Sequence, residues 1–194
     1  MTDFPKTPRP TSSPYGQVQT AHELAAGLWS VSTASHGGIQ VSRERQTAMP
    51  QHLRLARTWF EEDCEWALVA LAFPNAFTVA QVAEATLTVR HCYPEVYETV
   101  TGEALAAGQS RARDEALFKA AHVADYVVRS AFGDWADWVP EGSVGVYAYN
   151  ESTNQGGWFI VPADDYKARG SSFVVDVAQH TAIEKPVIGG TRLT

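Results

Sequence analysis

Hydrophobic and polar positions change rhythm along this chain, from a period of two, through helical spacing, and back to two. Residues 27–33 (GLWSVST) alternate and are β-prone, which predicts a strand. Ser35-His36-Gly37-Gly38 predicts a turn, because adjacent glycines accept positive φ. Ile39-Gln40-Val41 alternates again, so the two pieces read as a hairpin. Ser42 is placed to cap a short helix stopped by Pro50. The run from Cys64 to Phe73 is apolar nearly all round and follows the acids Glu61-Glu62-Asp63. It predicts a central helix whose first turn suits those acids and which Pro74 ends.

Thr78 and Gln81 stand at capping-box spacing. They open a predicted helix with apolar positions at Val79, Val82, Ala83, Leu87 and Val89, stopped by Pro94. From 112 to 132, apolar residues recur at Ala116, Leu117, Ala120, Ala121, Ala124, Val127, Val128 and Ala131. That stripe predicts a long helix closed by Gly133. After Pro140-Glu141-Gly142 the period returns to two. Segments 143–150, 158–161 and 173–175 are strand candidates, joined by a turn at Gly156-Gly157 and a polar bend over 164–170.

These elements predict an α+β domain over 16–184. Its antiparallel sheet combines the N-terminal hairpin with three C-terminal strands, and about four central helices cover it. Residues 1–15, with Pro5, Pro8, Pro10 and Pro14, predict a disordered, extended tail, and 185–194 a loose C-terminal end.

Composition supplies a core: hydrophobic residues make up 45%, with 6 Trp, 7 Tyr and 8 Phe. Charge narrows the function. Fifteen basic residues against 22 acidic ones give a net −7, which repels phosphate backbones and argues against direct nucleic-acid binding. The same balance suits a basic surface on a protein partner. The longest apolar run is about ten residues, against roughly 20 for a membrane span. The start, MTDFPKTPRP, has no apolar signal core, so the expected location is the cytoplasm and no membrane contact is expected. Cys64 and Cys92 are too few for a disulfide scaffold and are expected to be reduced and buried.

The candidate chemistry centres on two segments. His36 in its Gly-rich turn suits a general base, or more plainly a turn histidine bonded to a nearby carbonyl. Glu61-Glu62-Asp63-Cys64-Glu65 offers carboxylates and a thiol, or more plainly helix-dipole complementation in front of a buried cysteine. The catalytic candidates are therefore His36, Cys64 and Glu62. Interaction candidates are Glu61, Glu62, Asp63 and Glu65, with Trp135 and Trp138 as interface anchors or as the closing layer of the core. His91-Cys92 lacks the paired spacing of a zinc site, so neither metal nor cofactor is expected. No phosphate loop, dinucleotide fingerprint or nucleophile elbow is present.

Three strings together carry a resemblance: Tyr15-Gly16-Gln17-Val18-Gln19; Gly27-Leu28-Trp29 with 31–39 (VSTASHGGI); and Trp59-Phe60-Glu61-Glu62-Asp63-Cys64. Over about 15–176 the chain resembles an uncharacterised domain family of bacteriophage, plasmid and other mobile-element proteins. The resemblance implies genomic company rather than an activity. Small accessory proteins of such elements often counter host defence, including CRISPR systems and restriction. The expectation is a non-catalytic protein that binds a host defence complex. The alternative is a small hydrolase-type enzyme at the junction of His36 and the Glu61–Cys64 segment.

Overall fold

The computed structural model describes residues 3–170 and 172–189. The fold is α+β, with antiparallel sheets and helices. The chain divides into two compact units, the first ending at Glu115 and the second starting at Ala116, where one domain over 16–184 was expected.

In the first unit, β1 (Ser12–Ser13) and β2 (Gly16–Gln17) form a minimal hairpin. A four-stranded antiparallel sheet follows, ordered β3 (Thr20–Ala25), β4 (Leu28–Ser32), β5 (Gly37–Val41) and β6 (Trp59–Glu61). The predicted hairpin is β4–β5, in register from Leu28↔Val41 to Ser32↔Gly37. Helix α1 (Arg43–Ala48) separates β5 from β6, and the Ser42 hydroxyl accepts from the Arg45 N–H at 3.2 Å, as its capping pattern predicted. Helices α2 (Trp66–Ala72), α3 (Val79–Cys92) and α4 (Pro94–Thr101) follow, and α5 (Arg111–Ala121) crosses the division between the units. Thr78 and Gln81 form the predicted capping box. Pro94 ends α3 and also opens α4, where its missing N–H costs nothing.

The core confirms α2 as central. Its Ala67, Leu68, Val69 and Ala70 are buried in one cluster with Leu28, Ile39, Val41 and Phe60. Full burial of a side chain such as Phe60 or Leu68 contributes roughly 1.5–3 kcal/mol. Two expectations change here. Helix α2 starts only at Trp66, so Glu61, Glu62 and Asp63 lie outside its first turn. Helix α3 buries Ala85 and Val89, leaving Val79 and Leu87 exposed.

The Pro-rich start also differs from a disordered tail. Phe4 meets Phe73 edge-on at 6.0 Å, and the Arg45 guanidinium lies over both rings, 4.2 and 4.8 Å from their centroids. The Trp29 indole N–H donates to Thr7 Oγ1 at 3.1 Å. Composition describes what prolines cannot bury; it says nothing of an aromatic ring that finds a cation.

Cys64 and Cys92 are not reduced thiols but a disulfide, with Cα atoms 6.4 Å apart. Packing of α2 along α3 brings the turn before α2 to the last residue of α3, which no sequence spacing reveals.

The second unit is built on a five-stranded antiparallel sheet, ordered β10-β7-β8-β9-β11. Its strands are β7 (Tyr126–Phe132), β8 (Ser143–Asn150), β9 (Gln155–Pro162), β10 (Val174–Val175) and β11 (Thr181–Ile183), with α6 (Ala163–Lys167) after β9. One sheet face buries Val146, Ala148, Phe159, Val161 and Val175. The expected single sheet is therefore two. The β6 strand takes the edge of β5, and the C-terminal strands pair among themselves.

The predicted helix over 112–132 is corrected too. It ends at Ala121, and Tyr126–Phe132 pairs with β8 and β10 instead. Val127 and Val128 fit both periods, and sheet pairing decides between them. The break is made at His122, whose Nδ1 lies 2.7 Å from Asp125 Oδ2, and by Asn150, whose amide donates to the Ala124 carbonyl at 2.6 Å. Gly133 accordingly follows a strand, not a helix. Gly156 and Gly157 lie inside β9 rather than in the turn before it, and the polar bend contains α6. Of the expected loose end, residues 190–194 lie outside the described residues.

Two tests follow. Arg113 forks onto Glu98 at 2.6 and 3.0 Å and reaches Glu95 at 3.2 Å, and Leu105 N–H adds a bond to Glu98 at 2.8 Å. The Arg113 hydrogen bonds first, then that N–H, hold the Glu98 carboxyl at about 2, below its ordinary 4.5. A depressed carboxyl stabilises above its unfolded value and loses that contribution as pH falls from about 4.5 to about 2. Glu98→Gln should flatten the decline of the urea midpoint across this window; a slope equal to wild type removes the interpretation. For the disulfide, thiol titration of the unreduced, denatured protein should find no free thiol. Cys64→Ser with Cys92→Ser should lower unfolding free energy by roughly 3–4 kcal/mol, from loop closure across a separation of 28 residues.

Candidate functional site

Glu61, Glu62 and Asp63 leave the end of β6, which is bonded to β5 through the pairs Gly38↔Glu61 and Ile39↔Phe60. The S-H-G-G-I and W-F-E-E-D-C segments thus lie side by side. Neither Gly37 nor Gly38 has positive φ, contrary to the turn expected for them. Close approach explains both. A Cβ on Gly37 would fall on the Glu62 carboxylate. One on Gly38 would sit 2.6 Å from the Phe60 carbonyl oxygen and 2.7 Å from Tyr15 Cε2.

Thr33 fixes the backbone of His36. The Thr33 N–H and hydroxyl both donate to the His36 carbonyl, at 2.7 and 2.8 Å, and the His36 N–H donates to Thr33 Oγ1 at 3.2 Å. The imidazole itself points outward, its Nδ1 4.0 Å from Glu62 Oε1, with the two side chains 60% and 47% exposed. A pair that long and that wet contributes at most about 1 kcal/mol.

The acids divide by role. The Glu65 carboxylate pairs with Arg57 and accepts the Glu61 N–H at 3.0 Å, so it holds the turn. Glu61 accepts the Asp63 N–H at 2.9 Å. Glu62 and Asp63 face solvent. Beside them, the Tyr15 hydroxyl is buried with no hydrogen-bond partner among the described residues, and its ring meets Trp59 edge-on at 6.3 Å. Burial, then the negative charge of Glu65, raises the Tyr15 phenol above its ordinary value, with Arg57 opposing. Tyr93 is raised by the same causes in the same order. Both phenols therefore remain neutral donors in a negative field.

A cleft of about 290 Å³ opens beside this turn, lined by Ile39, Glu62, Trp66, Phe77, Gln81 and Glu84 among others. It joins two carboxylates to an indole over an apolar floor. That combination suits a cation carried on an apolar stem.

Cys64 is placed differently from His36 and Glu62. It is bonded to Cys92 and lines a separate cleft of about 460 Å³ with Asp63, Glu84, His91 and Arg111. A disulfide sulfur offers no thiolate, so a nucleophilic role for Cys64 requires prior reduction. Among the described residues no three His, Cys, Asp or Glu side chains group around one metal position. No helix there is long and apolar enough to cross a membrane. Trp135 and Trp138 belong to the second unit, in an aromatic cluster with Phe132 and Trp158.

Sequence reasoning did not single out Tyr15, Arg57, Trp66 or Glu84 as site residues. Tyr15 opens one of the three resembling strings, which was its only signal. Arg57 and Glu84 reach the site from segments whose local pattern is that of an ordinary loop and helix.

Residues 8–123 match the family described as Domain of unknown function (DUF7007). No curated protein and no solved structure matches the chain. The matched segment contains the whole acidic site and stops before β7.

Gly38→Ala is the sharpest test of the geometry, because its Cβ meets backbone that cannot swing away. It should cost about 1–3 kcal/mol in thermal unfolding. A melting temperature equal to wild type would show that β5 and β6 are not this close.

Proposed function

The chain belongs to this family of unknown function, and we propose that it acts by binding another protein, with the acidic cleft of the first unit as the docking surface for a basic partner. One observation carries this reading: Glu62 and Glu84 line a cleft with Trp66, and no cationic side chain lines it among the described residues. A lysine or arginine of the partner suits it. Its stem would lie on Ile39 and Phe77, and its charge would sit between the carboxylates and over the indole face. Glu61 and Asp63 extend the negative potential beyond the cleft, and a net charge of −7 favours encounter with a basic surface.

The finer proposal concerns the partner. We propose a phage or mobile-element accessory protein whose target is a host defence complex. Such complexes hold nucleic acid in basic grooves, and an acidic protein competes for that groove. The enzymatic alternative draws only on His36 and Glu62. Their exposure and 4.0 Å separation give little activation, and Cys64 is held as a disulfide.

The test is retention from a bacterial host lysate on immobilised wild type, beside a Glu62→Lys, Glu84→Lys variant. Wild type should retain a nucleic-acid-binding defence subunit, and lose it as salt rises from about 50 to about 200 mM. The variant should retain at least about tenfold less, a loss of about 1.4 kcal/mol or more. Recovery of no such subunit, with defence undiminished in cells making the protein, would sink the proposal.

A further inference from the structure

Arg45 keeps its charge in a place where arginine is rarely found: only 8% of the residue is exposed. Arginines that far out of water are almost always paired, because a buried charge without a counter-charge is costly. Arg57, Arg113 and Arg129, all more exposed, each hold a carboxylate. Arg45 holds none among the described residues. Its Nε–H donates to the Ala26 carbonyl at 2.6 Å, and neither Nη group makes a hydrogen bond or an ion pair there. The Phe4 and Phe73 rings attract the charge, but a ring face supplies no lone pair to the Nη hydrogens. Burial lowers the Arg45 guanidinium from its ordinary value, with no acidic neighbour opposing among the described residues.

This residue lines a cleft of about 470 Å³. Four stretches of the first unit build the cleft: Phe4 near the start, Ala25 at the end of β3, Arg45 and Ala48 of α1, and residues 72–76 from the last residue of α2 onward. Apart from Arg45 and Asn75, every lining side chain is apolar, and none is acidic, among the described residues. Four of the apolar ones are alanines, which leave space that a larger side chain would fill. The cleft shares no lining residue with the acidic one. It joins one cation, fixed by a carbonyl and two rings, to an apolar wall. What matches it is one negative charge on an apolar body.

We propose that this cleft binds a small monocarboxylic acid with an apolar body, its carboxylate on the Nη groups of Arg45 and its hydrocarbon along Phe73, Pro74 and the alanines. A guanidinium offers paired N–H groups that fit the two oxygens of a carboxylate. With the Nε–H given to Ala26, the Nη groups supply that pair. A phosphate monoester would bring nearly two negative charges to a cleft lined by one cation. A neutral hydrocarbon would cover the guanidinium and leave it unpaired. The volume lies within the range of small-molecule sites, about 300–1,000 Å³. Charge sign alone separates this site from the acidic cleft, and the proposal does not rest on that cleft.

The experiment titrates the full, isotope-labelled chain with octanoate, acetate, octanol and inorganic phosphate, following calorimetric heat and the Arg45 Nε–H resonance. Octanoate should bind saturably and move that resonance. Acetate lacks the body, octanol lacks the charge and phosphate lacks the body; each should bind at least about tenfold more weakly. Arg45→Gln removes the charge and should weaken octanoate at least about tenfold. Arg45 also holds Phe4 and Phe73, so a second variant leaves it in place. Ala48→Trp puts an indole into the cleft from an exposed position, and should weaken octanoate at least about tenfold at an unchanged melting temperature. No binding of octanoate to folded wild type overturns the proposal. So does octanol binding as tightly as octanoate, an unmoved Arg45 resonance at saturation, or wild-type affinity in folded Ala48→Trp. Charge reversal at Glu62 and Glu84 should leave octanoate binding intact, which separates failure here from failure of the acidic-cleft proposal.

Discussion

A strand can bring a carboxylate and a phenol ring down onto a neighbouring backbone only where the facing residues lack a Cβ. Gly37 and Gly38 meet that condition at the start of β5. Because they do, Glu62 lies over Gly37 and Tyr15 over Gly38, while the neighbouring pair Ile39↔Phe60 carries both side chains into the core with α2. The position of α2, and with it the disulfide from Cys64 to α3, follows from where β6 ends. A pair of glycines thus lets the acidic turn and Tyr15 close onto the sheet, and the site inherits its rigidity from that sheet.

What was legible in the sequence was local. Ser42 and the Thr78–Gln81 pair announce helix starts because a cap needs only residues three apart. The β4–β5 hairpin showed as alternation. What stayed hidden depended on partners far along the chain. Val127 and Val128 satisfy a helical stripe and a strand equally, and only β8 and β10 decide between them. The acids at 61–63 read as a helix start because they precede an apolar run, while β5 draws Glu61 into a strand. The pair Cys64–Cys92 and the clamp of Phe4, Arg45 and Phe73 are contacts of the folded chain with no pattern in its order. For the site, the segments that hold His36 and Glu62 were visible. Trp66 and Glu84, which give the cleft its ring and second carboxylate, and Tyr15, buried beside the acidic turn, were not.

The two units present different surfaces. The acidic cleft of the first offers acceptors beside a single indole. The groove of the second is lined by Phe132, Tyr147 and Trp158 with Ser130 and Lys185, and its hydroxyls both donate and accept. The family match covers the first surface and stops before the second, so shared ancestry speaks only for the acidic one.

The sheet of the second unit ends in very short strands, two residues in β10 and three in β11. An exposed aromatic face invites a sheet to stack or extend with copies of itself, and long open edges supply the ladder for it. Here β10 pairs only with Tyr126 and Val127 of β7, and β11 only with Trp158, Phe159 and Ile160 of β9, so the rest of both neighbouring edges is left to other devices. On the part of β7 that β10 does not cover stands Arg129, paired with Glu151, and a charge on an open edge opposes the docking of a second copy there. The protein can thus display Trp135 in water beside a sheet edge that is guarded by charge.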